Sequence, residues 1–296
     1  MQVITPVNWK DYELIDSGNF EKLERFGKYI TARPEPQAIW SKSLPQAEWE
    51  KLADAYFKKD KKDKNNERGE WKIKSGMPEQ WFVRYEHAGL KLSFRLGLTS
   101  FKHVGLFPEQ AENWEFIYSS IKQLRTATPK VLNLFAYTGG ASLTAKAAGA
   151  DVTHLDSVKQ VVTWSRENME ASNLNNIRWV VEDALKFVKR EAKRGNKYNG
   201  IILDPPAYGR GPEGEKWVLE ENIAELFADL SKIFLSEDNF FVLNLYSMGF
   251  SGLIADNLVK DSISRKWTFS EYGEFFFADK SERKLPLGIF WRGKTL

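Results

Sequence analysis

The chain predicts an α/β fold, an open and largely parallel sheet preceded by a small, mostly β domain. Two observations predict it. Between Val131 and Tyr208, four short apolar runs (VLNLFAYTGG, VTHLD, IRWVVED and GIILDPPAY) each stop at a glycine pair or a carboxylate, with helix-length patterns between them. That alternation implies right-handed βαβ crossovers in a parallel sheet. Before residue 99 the pattern is different: apolar residues alternate with polar ones in period two, as in half-buried strands.

Residues 1–98 form the predicted small domain. Pro45 to Phe57 carries Trp49, Leu52, Ala53 and Phe57 near helical spacing, which predicts its one helix. The run KKDKKDKNNERG, from Lys58 to Gly69, has no apolar member and reads as a solvated loop. A mobile basic arm touching phosphates is the alternative, weakened by the interspersed acids. WKIK (Trp71 to Lys74) follows as a strand. WFVRYE and LKLSFRL then flank His87-Ala88-Gly89, which signals a hairpin.

Residues 99–296 form the second domain. Pro108 opens a helix, with Glu109 and Glu112 near its positive end and Trp114, Ile117, Tyr118, Ile121 and Leu124 on one face. Strands are expected near 130–136, 151–156, 177–181, 199–204 and 239–246. Helices are expected near 141–149, 158–173, 183–194, 216–235 and 251–260. Trp267 to Ala278 and Leu285 to Gly293 close the chain as an antiparallel hairpin at one sheet edge.

Composition narrows the chemistry. There are 43 basic and 40 acidic residues, and a net charge of +3 neither demands nor excludes a local nucleic-acid surface. Cysteine is absent, which removes disulfides and thiolate chemistry. His87, His103 and His154 are too scattered for a zinc site, so no metal is expected. The N-terminal stretch lacks an apolar signal core, and the apolar runs are only strand-sized. The expectation is a cytoplasmic protein with no membrane span. Nothing in the sequence sets the oligomeric state.

The candidate site lies at the predicted strand ends. After the first central strand, Ala136-Tyr137-Thr138-Gly139-Gly140 turns tightly into a helix. Two glycines allow a ligand close to the backbone, and the helix start offers amides to a carboxylate. An ordinary strand-to-helix turn explains the same residues. Asp156 ends the next strand, where a carboxylate can take both hydroxyls of a ribose. It can also cap the following helix, a duty Ser157 can share. Asp183, after the third strand, can accept from an adenine amino group or cap its own helix. Three successive strand ends with such groups point to a bound nucleoside. A nicotinamide cofactor is disfavoured, because Y-T-G-G-A-S lacks two glycines of the dinucleotide fingerprint.

The fourth strand delivers Asp204-Pro205-Pro206-Ala207-Tyr208. Two prolines fix the backbone and remove two N–H donors, leaving the Asp204 carboxylate and nearby carbonyls as acceptors beside the Tyr208 ring. Acceptors beside an aromatic face suit a flipped nucleobase. Gly209, Gly211 and Gly214, with Arg210 and Lys216, read as a flexible basic segment, either a lid over substrate or a plain surface loop.

LNLFAYTGGAS, HLDSVKQVVTWSRENMEASNL and LDPPAYGRG, with FKHVGLFPEQ upstream, resemble the class I S-adenosylmethionine (SAM)-dependent methyltransferases related to bacterial large-subunit rRNA methyltransferases. The resemblance covers about residues 99–296. It implies a Rossmann-like sheet of seven strands ordered 3-2-1-4-5-7-6. It implies SAM held by Phe135, Ala136, Tyr137, Thr138, Gly139 and Gly140, by Asp156 with Ser157, by Asp183 with Ala184, and near Asp204. Phe107 and Gln110 are implied to approach the cofactor. The catalytic group would be Asp204, Pro205 and Tyr208, and the substrate a base in RNA, rRNA in particular. Many relatives methylate cytosine C5 through a cysteine where this chain has VLNLYSMGFS, with Asn244, Tyr246 and Ser247 in that region. Nitrogen is therefore the expected acceptor. The relatives' N-terminal RNA-binding module is not recognisable in residues 1–98. Methylation of a small molecule or a protein, and a non-catalytic SAM- or RNA-binding module, are the alternatives.

Overall fold

The computed structural model describes residues 1–60, 68–246, 249–263 and 265–296. The chain divides into two compact units. The larger comprises Met1–Ile4, Gln110–Phe275 and Leu287–Leu296, and the smaller Thr5–Glu109 and Phe276–Pro286. The expected boundary at 98/99 therefore falls inside the smaller unit, which also takes the tip of the C-terminal hairpin.

Strand β1 (Gln2–Ile4) belongs to the larger unit. The smaller unit follows with β2 (Tyr12–Gly18), β3 (Glu21–Phe26), β4 (Tyr29–Pro34), α1 (Gln46–Leu52), β5 (Ala55–Lys59) and β6 (Gly69–Ile73). These strands form one sheet in sequence order. Helix α1 stops at Ala53, whose backbone is extended, so Phe57 sits in β5 and not on the expected helical face. Lys58, Lys59 and Gly69 pair within the β5–β6 ladder, so the charged run is not a loop throughout. The arm expected over its middle, 61–67, lies outside the described residues. β7 (Gln80–His87) and β8 (Leu90–Gly97) make the predicted hairpin, turned by Ala88 and Gly89, both at positive φ. Trp81, Val83, Tyr85, Leu92 and Phe94 are buried on its inner face.

The larger unit continues through a 3₁₀ turn at Pro108–Gln110, so the helix expected to open at Pro108 begins at Ala111. Its elements are α2 (Ala111–Gln123), β9 (Lys130–Leu134), α3 (Gly140–Ala147), β10 (Asp151–Asp156), α4 (Lys159–Ala171), β11 (Ile177–Val181), α5 (Ala184–Lys193), β12 (Gly200–Leu203), β13 (Tyr208–Arg210), β14 (Lys216–Val218), α6 (Leu219–Ile233), β15 (Asn239–Leu245), α7 (Gly252–Ser262), β16 (Phe269–Ala278) and β17 (Lys284–Thr295). The main sheet runs β1-β16-β17-β15-β12-β9-β10-β11. Without β1 this is the expected 3-2-1-4-5-7-6 order. β1 adds an eighth strand, parallel to β16.

β15, β12, β9, β10 and β11 are parallel neighbours. β12 and β15 are buried along their whole length, as expected for strands covered on both faces. Leu134, Leu155, Leu203, Phe241 and Leu243 pack with Phe187, Phe227 and Leu230 of α5 and α6 into one core. Each such side chain contributes about 1.5–3 kcal/mol through burial. This core fixes the register that places the strand ends.

Candidate active site

Register alone assembles the site. Leu243 lies opposite Leu203, Leu203 opposite Leu134, and Leu134 opposite Leu155. The next residue on each strand, Asn244, Asp204, Phe135 and Asp156 in turn, therefore stands in a row across four strands. Asp156 in its turn faces Val181, one step before Glu182 and Asp183. Ligands of open α/β sheets bind at this edge.

The turn after β9 is conformationally costly. Phe135, Tyr137 and Gly139 have φ of 55°, 48° and 93°. Two non-glycine residues in the left-handed region need outside support. The Tyr137 N–H donates to Asp156 Oδ2 at 2.9 Å, and the Ser165 hydroxyl donates to the Tyr137 carbonyl at 2.6 Å. Asn168 Nδ2 donates to the Thr138 carbonyl at 2.9 Å. Behind the turn, His154 bridges Ser142 (3.0 Å) and Ser165 (3.3 Å), and Asn133 donates to Ser142 at 2.9 Å. Burial lowers the His154 pKa to about 3, so the ring is neutral. Asn133, His154, Ser165 and Asn168 hold the turn in shape. Asn133 and His154 look like isolated polar residues in apolar strands, and Ser165 and Asn168 like ordinary polar positions of α4, so the sequence does not single them out.

The two glycines have different reasons. Gly139 is the left-handed N-cap of α3, and a Cβ there would lie 3.2 Å from Ser165 Cβ. Gly140 answers to packing: a Cβ would lie 2.7 Å from the Trp114 ring. At this position the missing Cβ makes room for an indole. Gly139 brings no capping side chain to α3, whose first turn holds no acid, so its leading amides suit a carboxylate.

Asp156 is half-buried. Its two oxygens accept from Tyr137 and Val158 N–H groups, both at 2.9 Å. Burial raises its pKa, against the backbone donors. Each oxygen still has a lone pair for a hydroxyl. Neither Asp156 nor Ser157 caps α4, whose N-cap residue is Val158, 43% exposed. Asp183 does cap α5, accepting from the Lys186 N–H at 2.9 Å through Oδ1, with Ala184 buried beside it. Gln110 accepts from Asn113 at 2.9 Å within the larger unit, whereas Phe107 belongs to the smaller one.

Asn244 Nδ2 donates to Asp204 Oδ1 at 2.7 Å. Burial pushes the Asp204 pKa up to about 7, with the Asn244 donor opposing. Asn244 Oδ1 is buried and has no hydrogen-bond partner among the described residues. Pro205 is buried and Tyr208 half-exposed. Two carbonyls expected as free acceptors are engaged: Pro206 accepts from Trp217 Nε1 at 2.7 Å, and Ala207 from the Leu219 N–H at 3.0 Å. The segment expected to be flexible is a short antiparallel ribbon, β13 on β14, tied to α5 by Lys186 ion pairs with Glu213 and Glu215. Ser247, expected beside Asn244 and Tyr246, lies outside the described residues. Among the described residues no acidic or histidine cluster could hold a metal ion, and no helix is long and apolar enough to cross a membrane.

A family model described as S-adenosylmethionine-dependent methyltransferase matches residues 48–245. A SAM-dependent methyltransferase from Agrobacterium tumefaciens superposes with TM-score 0.89 at 35% identity, covering 100% of this chain and 94% of that one. SMU.776, crystallised with S-adenosylhomocysteine, superposes with TM-score 0.70 at 17% identity over 97% of this chain and 76% of that one, a likeness of fold. Ribosomal RNA large subunit methyltransferase K/L of Shewanella frigidimarina is 31% identical over 144 residues, 47% of this chain and 19% of that protein. The Pseudoalteromonas translucida protein of the same name is 33% identical over 118 residues, 39% and 16% respectively. The chain thus aligns with less than a fifth of the length of these two relatives.

Proposed function

Because this chain belongs to the S-adenosylmethionine-dependent methyltransferase family, we propose that it methylates a base in RNA, rRNA in particular, at a nitrogen atom. One observation carries the choice of acceptor. Asp204 and Asn244 Oδ1, a buried acceptor with no hydrogen-bond partner among the described residues, stand together at the strand ends, with the half-exposed Tyr208 ring close by in sequence. Two acceptors suit the two hydrogens of an exocyclic amine, and an exposed ring suits a stacked base. The rRNA methyltransferase relatives support the same substrate class. Attack through cytosine C5 needs a thiolate, and the chain has no cysteine.

The strand edge fits SAM. In this reading the leading α3 amides take its carboxylate, Phe135 to Gly140 wrap its methionine end, and Asp156 with Ser157 takes the ribose hydroxyls. The second oxygen of Asp183 would take the adenine amino group. Bound there, SAM supplies a methyl group on a sulfonium, whose sulfur keeps the bonding pair as the methyl leaves.

The remaining work is positioning. Ionised Asp204 accepts a hydrogen from the amine, which localises the nitrogen lone pair toward the methyl carbon. Once the N–C bond forms, the nitrogen is cationic and sheds a proton, and a carboxylate with pKa near 7 is matched to take it. Pro205 holds the Asp204 backbone, and Tyr208 stacks on the base. Radiolabelled methyl transfer from SAM to fractionated cellular RNA and protein tests the reading. Label in RNA supports it; label confined to protein or small molecules rejects it.

A further inference from the structure

We infer that Trp217 is a positioning residue that couples the cofactor turn to the acceptor corner. This deepens the reading above and rests on its assignment of Phe135 to Gly140 to SAM.

One buried side chain touches both halves of the site. The Trp217 ring packs on Phe135 with centroids 4.7 Å apart, tilted by 51°. Phe135 opens the strained turn at φ 55°. On the other side the indole N–H donates to the Pro206 carbonyl at 2.7 Å. A buried indole N–H needs such a partner, and proline offers only a carbonyl. Trp217 also lies opposite Gly209 in the ribbon, while its neighbour Val218 lies opposite Tyr208. A shift of Phe135 therefore reaches Asp204 to Tyr208 by two routes: the Pro206 hydrogen bond and the ribbon that carries Tyr208. The β9–β12 ladder joins the two strands but stops at Leu134 and Leu203, and two other contacts at this corner lead elsewhere. The Asn244 bond ties Asp204 to β15, and the Lys186 ion pairs tie the ribbon to α5.

The consequence is that filling the cofactor turn firms the acceptor corner before any acceptor arrives. Hydrogen exchange read by mass spectrometry, with and without S-adenosylhomocysteine, tests it without needing turnover. In the wild type, the product should slow exchange across 207–219 by about tenfold, the scale of one buried hydrogen bond. Trp217→Phe keeps a ring against Phe135 but removes the N–H. It should bind S-adenosylhomocysteine within about twofold of wild type and lose most of that slowing, because the Pro206 tie is gone. Phe135→Leu keeps the indole bond and removes the ring contact. It should lose the slowing too, and it carries the test if Trp217→Phe does not fold. A purely structural role would raise exchange without ligand and leave the ligand-induced slowing in place. That result, or no slowing in the wild type, overturns the inference. If ligand slows the ribbon but labelled methyl never reaches RNA, the acceptor assignment fails and the coupling stands.

Discussion

Asn244 donates its side-chain N–H to the Asp204 carboxylate over 2.7 Å, between neighbouring parallel strands. The register Leu243 opposite Leu203 sets this pair one step further along the strands, with Asn244 buried and Asp204 partly so. The bond leaves Asp204 with unused acceptor capacity, and Asn244 Oδ1 has no partner among the described residues.

Asp204→Asn should separate binding from turnover. The substitution keeps an oxygen for the Asn244 donor but removes the negative charge. SAM affinity by calorimetry should stay within about twofold, while methyl transfer falls by about a hundredfold or more. Weakened SAM binding with turnover per bound SAM retained would reverse the assignment.

Turnover should depend on pH through the same residue. Asp204 titrates near 7 and must be ionised to accept from an amine. Activity should rise with pH through about 7 and level off above it. Asn244→Leu removes a donor that favours the charged form, so the rise should move to higher pH. A profile with no break between about pH 5 and about pH 9 would contradict this.

Stability should show two opposing slopes. The Asp204 pKa is raised from 3.8, so the folded protein holds a proton that the unfolded chain releases; stability from this group falls as pH rises from 3.8 to about 7. The His154 pKa is lowered from 6.5, so the unfolded chain takes a proton that the folded one refuses; stability from this group is full above 6.5 and falls as pH drops toward about 3. Denaturant titrations of Asp204→Asn should lose the Asp204 contribution and keep those of His154 and of Glu109, whose carboxyl burial also pushes up to about 7. If that variant follows the wild-type pH dependence throughout, the buried-carboxyl account is wrong.

The adjacent glycines should fail differently when changed to alanine. Gly140→Ala drives a methyl into Trp114 and should cost about 1–3 kcal/mol of stability. Gly139→Ala forces a side chain into the left-handed region, costing about 1–2 kcal/mol, and should also weaken SAM binding because it shifts the turn itself. Melting curves and calorimetry on both variants distinguish them; equal loss of affinity in the two would refute the division.

Asp183→Asn should keep its helix, since asparagine caps as well as aspartate. Losing the charge from a charge-assisted bond should weaken SAM binding by about fivefold. Unchanged affinity would make Asp183 a cap and nothing more.

Much of the architecture was legible because its signals are local. β10 and β11 lie where their apolar runs place them, and the acids that end them meet at one edge because parallel neighbours share direction. What escaped the sequence depends on distant partners. β1 is three residues long, and only its pairing with Gly273 to Phe275 makes it a strand. β13 and β14 read as glycine-rich loop, yet Trp217 and the Lys186 ion pairs order them. That Gly140 also makes room for Trp114 of the preceding helix depends on a contact between residues distant in sequence. Phe57 matched helical spacing, but Ala53 had already turned extended.

Nucleoside mass spectrometry of RNA from cells lacking this chain tests the central claim most directly. One N-methylated base should disappear, return with the wild-type chain, and stay absent with Asp204→Asn. An unchanged profile, or loss of 5-methylcytidine instead, would contradict transfer to a base nitrogen at the Asp204–Asn244 corner.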